Sequence, residues 1–178
     1  MNLLRNRFPH RSEIIAVLGV AVFVCHSWSV LGFLNKLSSF ILYFTLAEIA
    51  NIFAFMMAFA FLESLAATGF LVLLSMILPA GWLKEGFAFK GLIIIVIATA
   101  TSVLFQNFLE GEYPSMLMLA AGSILPLLLI AALIAVVRNR PKVQTLLLNI
   151  QDRILIMLFI YVPIGLLSLM SIMYRNLL

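Results

Sequence analysis

Apolar residues run along this chain in blocks of roughly twenty, divided by short clusters of charge, the length an α-helix needs to cross a bilayer. Six such blocks are readable: Ser12–Leu34, Ser38–Leu62, Leu65–Leu83, Phe89–Leu109, Tyr113–Val137 and Arg153–Tyr174. The blocks are unbroken, whereas a lipid-exposed barrel strand alternates apolar and polar positions. The pattern therefore predicts an all-α, polytopic transmembrane bundle. The connections around Lys36, Glu63, Lys84–Lys90, Glu110–Glu112 and Arg138–Asp152 are too short for a soluble domain, so residues 1–178 read as a single integral membrane domain.

Two stretches complicate the pattern. From Leu37 to Leu83 the chain is almost continuously apolar, interrupted by Glu48, Asn51, Glu63 and Thr68. That is too long for one crossing, which places a tight turn near Glu63–Gly69; a re-entrant third segment is the alternative. Between Arg138 and Asp152, Val143, Leu146, Leu147, Leu148 and Ile150 lie among polar residues, predicting a short amphipathic helix at the interface. Arg5, Arg7 and Arg11 before Ile14–Val24 and Ser27-Trp28-Ser29 have the grammar of a signal peptide. We read this segment as the first membrane helix.

Composition agrees. The chain is 65% hydrophobic and 10% charged, against about a quarter charged in soluble domains, so polar surface is too scarce to clothe a water-facing globule. The formal net charge is +4, but the basic residues cluster at block ends, where they act as topology signals and headgroup anchors; no nucleic-acid partner is expected. With six spans and outside termini, the cytoplasmic loops hold Lys36, Lys84, Lys90, Arg138, Arg140, Lys142 and Arg153, leaving Arg5, Arg7, Arg11 and Arg175 outside. The Arg-rich N-terminus pulls the other way. A re-entrant third segment would put the N-terminal arginines and the Lys84 and Arg138 loops together in the cytoplasm. Both topologies fit a plasma or inner membrane.

Ionisable groups at membrane depth are costly and mark candidate functional positions. On these boundaries Glu48 falls near the middle of the second span and His26 just past the middle of the first. Folding the pair about Lys36 brings them to similar depth, where His26 would relay to a proton- or cation-binding Glu48 beside Asn51. The competing reading makes Glu48 a neutral carboxyl that donates a hydrogen bond to a neighbouring helix. Ala21, Cys25 and Ser29 face Ala47, Asn51, Ala54 and Ala58 as small-residue ridges suited to close helix approach. Pro79, Pro126 and Pro163 fall inside spans and predict kinks. Trp82, Phe87, Phe89, Tyr113 and Tyr174 suit an aromatic belt.

The chemistry of catalysis is not spelled out. The chain has two histidines, His10 and His26, and one cysteine, Cys25, with no Gly-rich phosphate loop, HExxH motif or nucleophile elbow. No enzyme, metal or cofactor is expected. The leading expectation is a non-catalytic membrane subunit or scaffold of a larger complex, with membrane lipids and other membrane subunits as partners. The second is a small permease or ligand-binding component of a transporter using Glu48. In size and helix count the chain resembles in outline the substrate-binding components of energy-coupling-factor transporters.

Overall fold

The computed structural model describes residues 8–79, 81–109 and 115–177. Every element in these residues is helical: α1 Arg11–Tyr43, α2 Leu46–Ile77, α3 Phe87–Leu109, α4 Met116–Arg138 and α5 Pro141–Ile154. A 3₁₀ turn at Leu155–Met157 then leads into α6 Leu158–Leu177. Five stretches are long and apolar enough to cross a membrane: α1, α2, most of α3, most of α4, and the continuous α5–α6 segment. This arrangement is compatible with a membrane protein.

The difference from six spans lies in the first two helices. The chain does not turn at Lys36. Helix α1 carries on past it to Tyr43, and the reversal comes at Phe44 and Thr45, both extended. Neither is there a turn near Glu63–Gly69, because α2 is one helix of 32 residues and no re-entrant segment forms. The polar residues that suggested a break are satisfied along the helix itself. Ser64 Oγ donates to the Phe61 carbonyl at 2.7 Å and Thr68 Oγ1 to the Ser64 carbonyl at 2.8 Å. Such back-bonding lets hydroxyls sit inside an apolar helix without water. What stops α2 is Pro79, which holds Leu78 extended. Pro79 therefore ends a helix instead of kinking one.

At 1.5 Å per residue the 33-residue α1 and its partner are each about 50 Å long, some 20 Å more than the hydrocarbon layer. At the closed end of the hairpin Leu42, Tyr43 and Leu46 are exposed. Helix α1 is central and touches α2, α3, α5 and α6, while α6 packs along α2 and α4 along α3. Glycines set the crossings. A Cβ on Gly91 of α3 would lie 2.6 Å from Val17 Cγ2 of α1, and one on Gly165 of α6 would lie 2.7 Å from Phe61 Cβ of α2. In lipid, where apolar burial gives no net drive between helices, close backbone approach is a main source of packing. Around the first crossing Val17, Val20, Leu71, Phe87, Leu92 and Ile93 form the buried core.

The segment after α4 is an amphipathic helix, as its mixture of apolar and polar residues predicts. Pro141 occupies the N-terminal turn of α5, where a missing amide costs nothing. Val143 and Leu147 pack against the core, and Gln144 Nε2 donates to the carbonyls of Val137 and Arg138 at 3.1 and 3.0 Å. Those are end carbonyls of α4 with no intrahelical partner of their own.

Candidate functional site

Moving the turn moves the candidates. Glu48 is not at mid-helix but in the first turn of α2, fully at the surface. Its Oε2 accepts from the Thr45 amide and the Thr45 hydroxyl, both at 2.8 Å, while Thr45 Oγ1 accepts from the Glu48 amide at 3.4 Å. This is a reciprocal cap that closes the N-terminus of α2. It leaves Glu48 far from His26, and the relay expected between them has no geometric basis. Asn51 lies one turn further along α2, half-buried.

His26 is fully buried. Its Nδ1 lies 2.9 Å from the Val22 carbonyl, and its ring stacks on Tyr161 of α6 with centroids 5.0 Å apart. A carbonyl can only accept, so Nδ1 carries the proton and Nε2 is left as an acceptor. Among the described residues Nε2 has no hydrogen-bond partner. The side chain ties α1 to α6.

The carboxylate that does sit deep along a helix is Glu63. It lies fourteen residues from the end of α2 at Ile77, about 21 Å along the axis, and Cys25 lies the same distance from the start of α1 at Arg11. Glu63, Cys25 and Trp28 share a cavity of about 340 Å³ with Thr99, Ser102 and Gln106 of α3. Glu63 is the one charged residue in this lining. Three helices thus turn a carboxylate, a thiol, two hydroxyls, an amide and an indole toward one space. These groups can hold a cation or hydrogen-bond a polar ligand.

No family model, curated protein or solved structure matches this chain. The site therefore has to be read from its own chemistry. The outline likeness to energy-coupling-factor components rested on a count of six helices, which the five long helices do not reproduce.

A second concentration of polar groups lies at the opposite end from the α1–α2 turn. Phe8, His10, Arg11 and Glu13 line one cavity with Lys84, and Lys90 and Arg138 line another. The N-terminal end of α1, the 81–86 loop and the α4–α5 junction therefore share one end of the bundle. Lys90 is 3% exposed and donates to the Gly81 carbonyl at 3.2 Å. Gln151 of α5, also buried, donates to the Ala88 carbonyl at 3.4 Å. Sequence reasoning placed Lys90 in a loop and overlooked Gln151.

Two of the proline positions are inside helices. Pro126 lies within α4 and Pro163 within α6, both continuous through the proline. Pro126 borders an apolar cavity of about 390 Å³ shared with Phe105 and Gly122. A Cβ on Gly122 would lie 2.6 Å from the Phe105 ring, which makes this the contact by which α4 leans on α3.

Proposed function

We propose that the chain is a non-catalytic subunit or scaffold of a larger assembly in a plasma or inner membrane, with its basic end in the cytoplasm. The observation that carries this reading is the one-sided attachment of α4. Along the bundle it leans on α3, and only 6% of its apolar span is buried. Ile124, Leu128 and Val136 face outward from it, as Leu167 and Met170 do from α6. Both flanks thus offer long apolar faces to neighbours in the bilayer, and the short connections leave little for soluble chemistry. The orientation rests on the basic-residue bias, since Arg11, Lys84, Lys90, Arg138 and Arg140 gather at one end.

The test is photo-crosslinking in native membranes from a probe at Ile124, Leu128 or Leu167. A subunit gives discrete adducts to another polypeptide from at least one of the two flanks. Adducts to lipid alone at all three positions sink the reading.

The Glu63 cavity favours a second reading, a small ligand-binding membrane component in which Glu63 takes the role expected of Glu48. Cys25 is the chain's one cysteine, so a thiol reagent reports directly on this space. A cationic methanethiosulfonate should label Cys25 in intact membranes, and Glu63→Gln should slow it about tenfold relative to a neutral reagent. Protection of Cys25 until the protein is denatured would remove this reading.

A further inference from the structure

We infer that the groove between α3, α4 and the 81–86 loop binds an anionic phospholipid, its phosphate held by Lys90 and Arg138 and one acyl chain lying along α4. The inference rests on the membrane reading above, and its test separates the two.

The groove encloses about 440 Å³ and has two chemically distinct ends. At the basic end of the bundle it is lined by Lys90, Arg138 and Trp82, and further along by Leu127, Ile130 and Ile134. Those three apolar residues recur at spacings of three and four, so they form one stripe on α4. A stripe about 10 Å long leading away from two cations matches the shape of a lipid, with its headgroup at one end and its tail at the other.

The cations themselves call for an anion. Lys90 is almost wholly buried, and an ammonium carries three donors. One of them goes to the Gly81 carbonyl, and the face of Phe89 lies 5.8 Å away. Arg138 lines the same groove and repels the ammonium, while the Glu85 carboxylate, exposed and outside the lining, attracts it. Among the described residues the Arg138 side chain makes no ion pair. Two like charges beside one groove repel each other until an anion sits between them. Basic pockets between membrane helices, on the side where anionic lipids concentrate, hold phosphate headgroups in this way. Trp82 is 72% exposed at the mouth, where an indole suits the headgroup layer.

The experiment uses the full chain purified in neutral detergent. Binding of dioleoylphosphatidylglycerol and of dioleoylphosphatidylcholine is titrated by native mass spectrometry, with inorganic phosphate as competitor. Two cations acting at a membrane surface predict about a thirtyfold preference for phosphatidylglycerol. Arg138→Gln should cut the preference to about a fifth of its value. Ala131→Trp, which fills the groove and keeps both charges, should abolish it. Lys142→Gln, a change to an exposed cation on α5 outside the groove, should leave it unchanged. The proposal is overturned by equal binding of the two lipids. It is equally overturned by a loss in Lys142→Gln matching that in Arg138→Gln, by a preference that survives Ala131→Trp, or by displacement with millimolar phosphate. Retention of the chain in alkaline-washed membranes tests the membrane reading separately. A retained chain without lipid preference defeats the groove alone.

Discussion

Helices α1, α2 and α3 bury 33%, 39% and 44% of their apolar spans, whereas α4 and the α5–α6 segment bury 6% each. Yet α4 is as apolar as any of them, a run of leucine, isoleucine and alanine with little polar content. In water such a helix would be the most deeply buried; here it is among the least. Apolarity records that a residue avoids water and says nothing about whether protein or lipid covers it. The better marker of the interior is the opposite one. Buried His26, Ser64, Thr68, Ser75 and Lys90 lie on α1, α2 and α3, and Gln151 and Ser168 on the α5–α6 segment, while among the described residues no buried polar side chain lies on α4. Polar groups that must be satisfied away from water are placed where neighbouring backbone can reach them.

The comparison breaks most sharply at a core crossing. Gly91→Leu would drive a side chain into Val17, where the nearest methyl already stands 2.6 Å from a Cβ. Over-packing of this kind costs up to about 3 kcal/mol. Unfolding in mixed detergent micelles should show that loss. A change under about 0.5 kcal/mol would mean α1 and α3 do not meet at this crossing.

A smaller effect tests the α1–α2 turn. Glu48→Ala removes the acceptor for the Thr45 amide and should lower stability measurably, while Glu48→Gln, which can still complete the cap, should lower it much less. The same position separates the two placements of the turn. If Glu48 were a lone carboxylate at mid-membrane, neutralising it would stabilise the protein. A stabilised Glu48→Gln therefore rules out the cap.

The helical class, the last three apolar segments and the amphipathic α5 were legible because their ends are punctuated: Ser115 caps α4, Pro141 opens α5, and charge separates them. The α1–α2 hairpin is harder to read because its charges are more conspicuous than its caps. Lys36 sits on an exposed face of a continuing helix, and helices carry exposed lysines freely. The turn has a signature of its own, Thr45-Leu46-Ala47-Glu48, a Thr and Glu three apart opening a long apolar run. Reading that cap relocates the candidate site without further information. His26 lies eighteen residues before Phe44 and Glu63 eighteen after Thr45, so the hairpin arithmetic that paired His26 with Glu48 selects Glu63 once the turn is right. Depth alone does not give facing. His26 turns to Tyr161, while Glu63 shares its cavity with Cys25, and only the three-dimensional packing separates those directions. The groove at Lys90 was less accessible still, since it joins residues 78–90 to residues 127–138.

The smallest expected effect lies on the outer face of α4. Leu128 is 62% exposed, and in the isolated chain its side chain meets detergent in both the folded and the unfolded state. Leu128→Ala should then change stability by less than about 0.5 kcal/mol, far below the 2 to 5 kcal/mol a truncated leucine costs in a packed core. The value of this near-zero result depends on where it is measured. In native membranes a partner lying on α4 would pack against Leu128, and the same substitution would shorten the lifetime of the chain while leaving the purified protein unchanged. Neutrality in both settings leaves lipid as the only cover for that face. A loss in both settings would mean that the purified chain already pairs through α4, making the partner a second copy of itself.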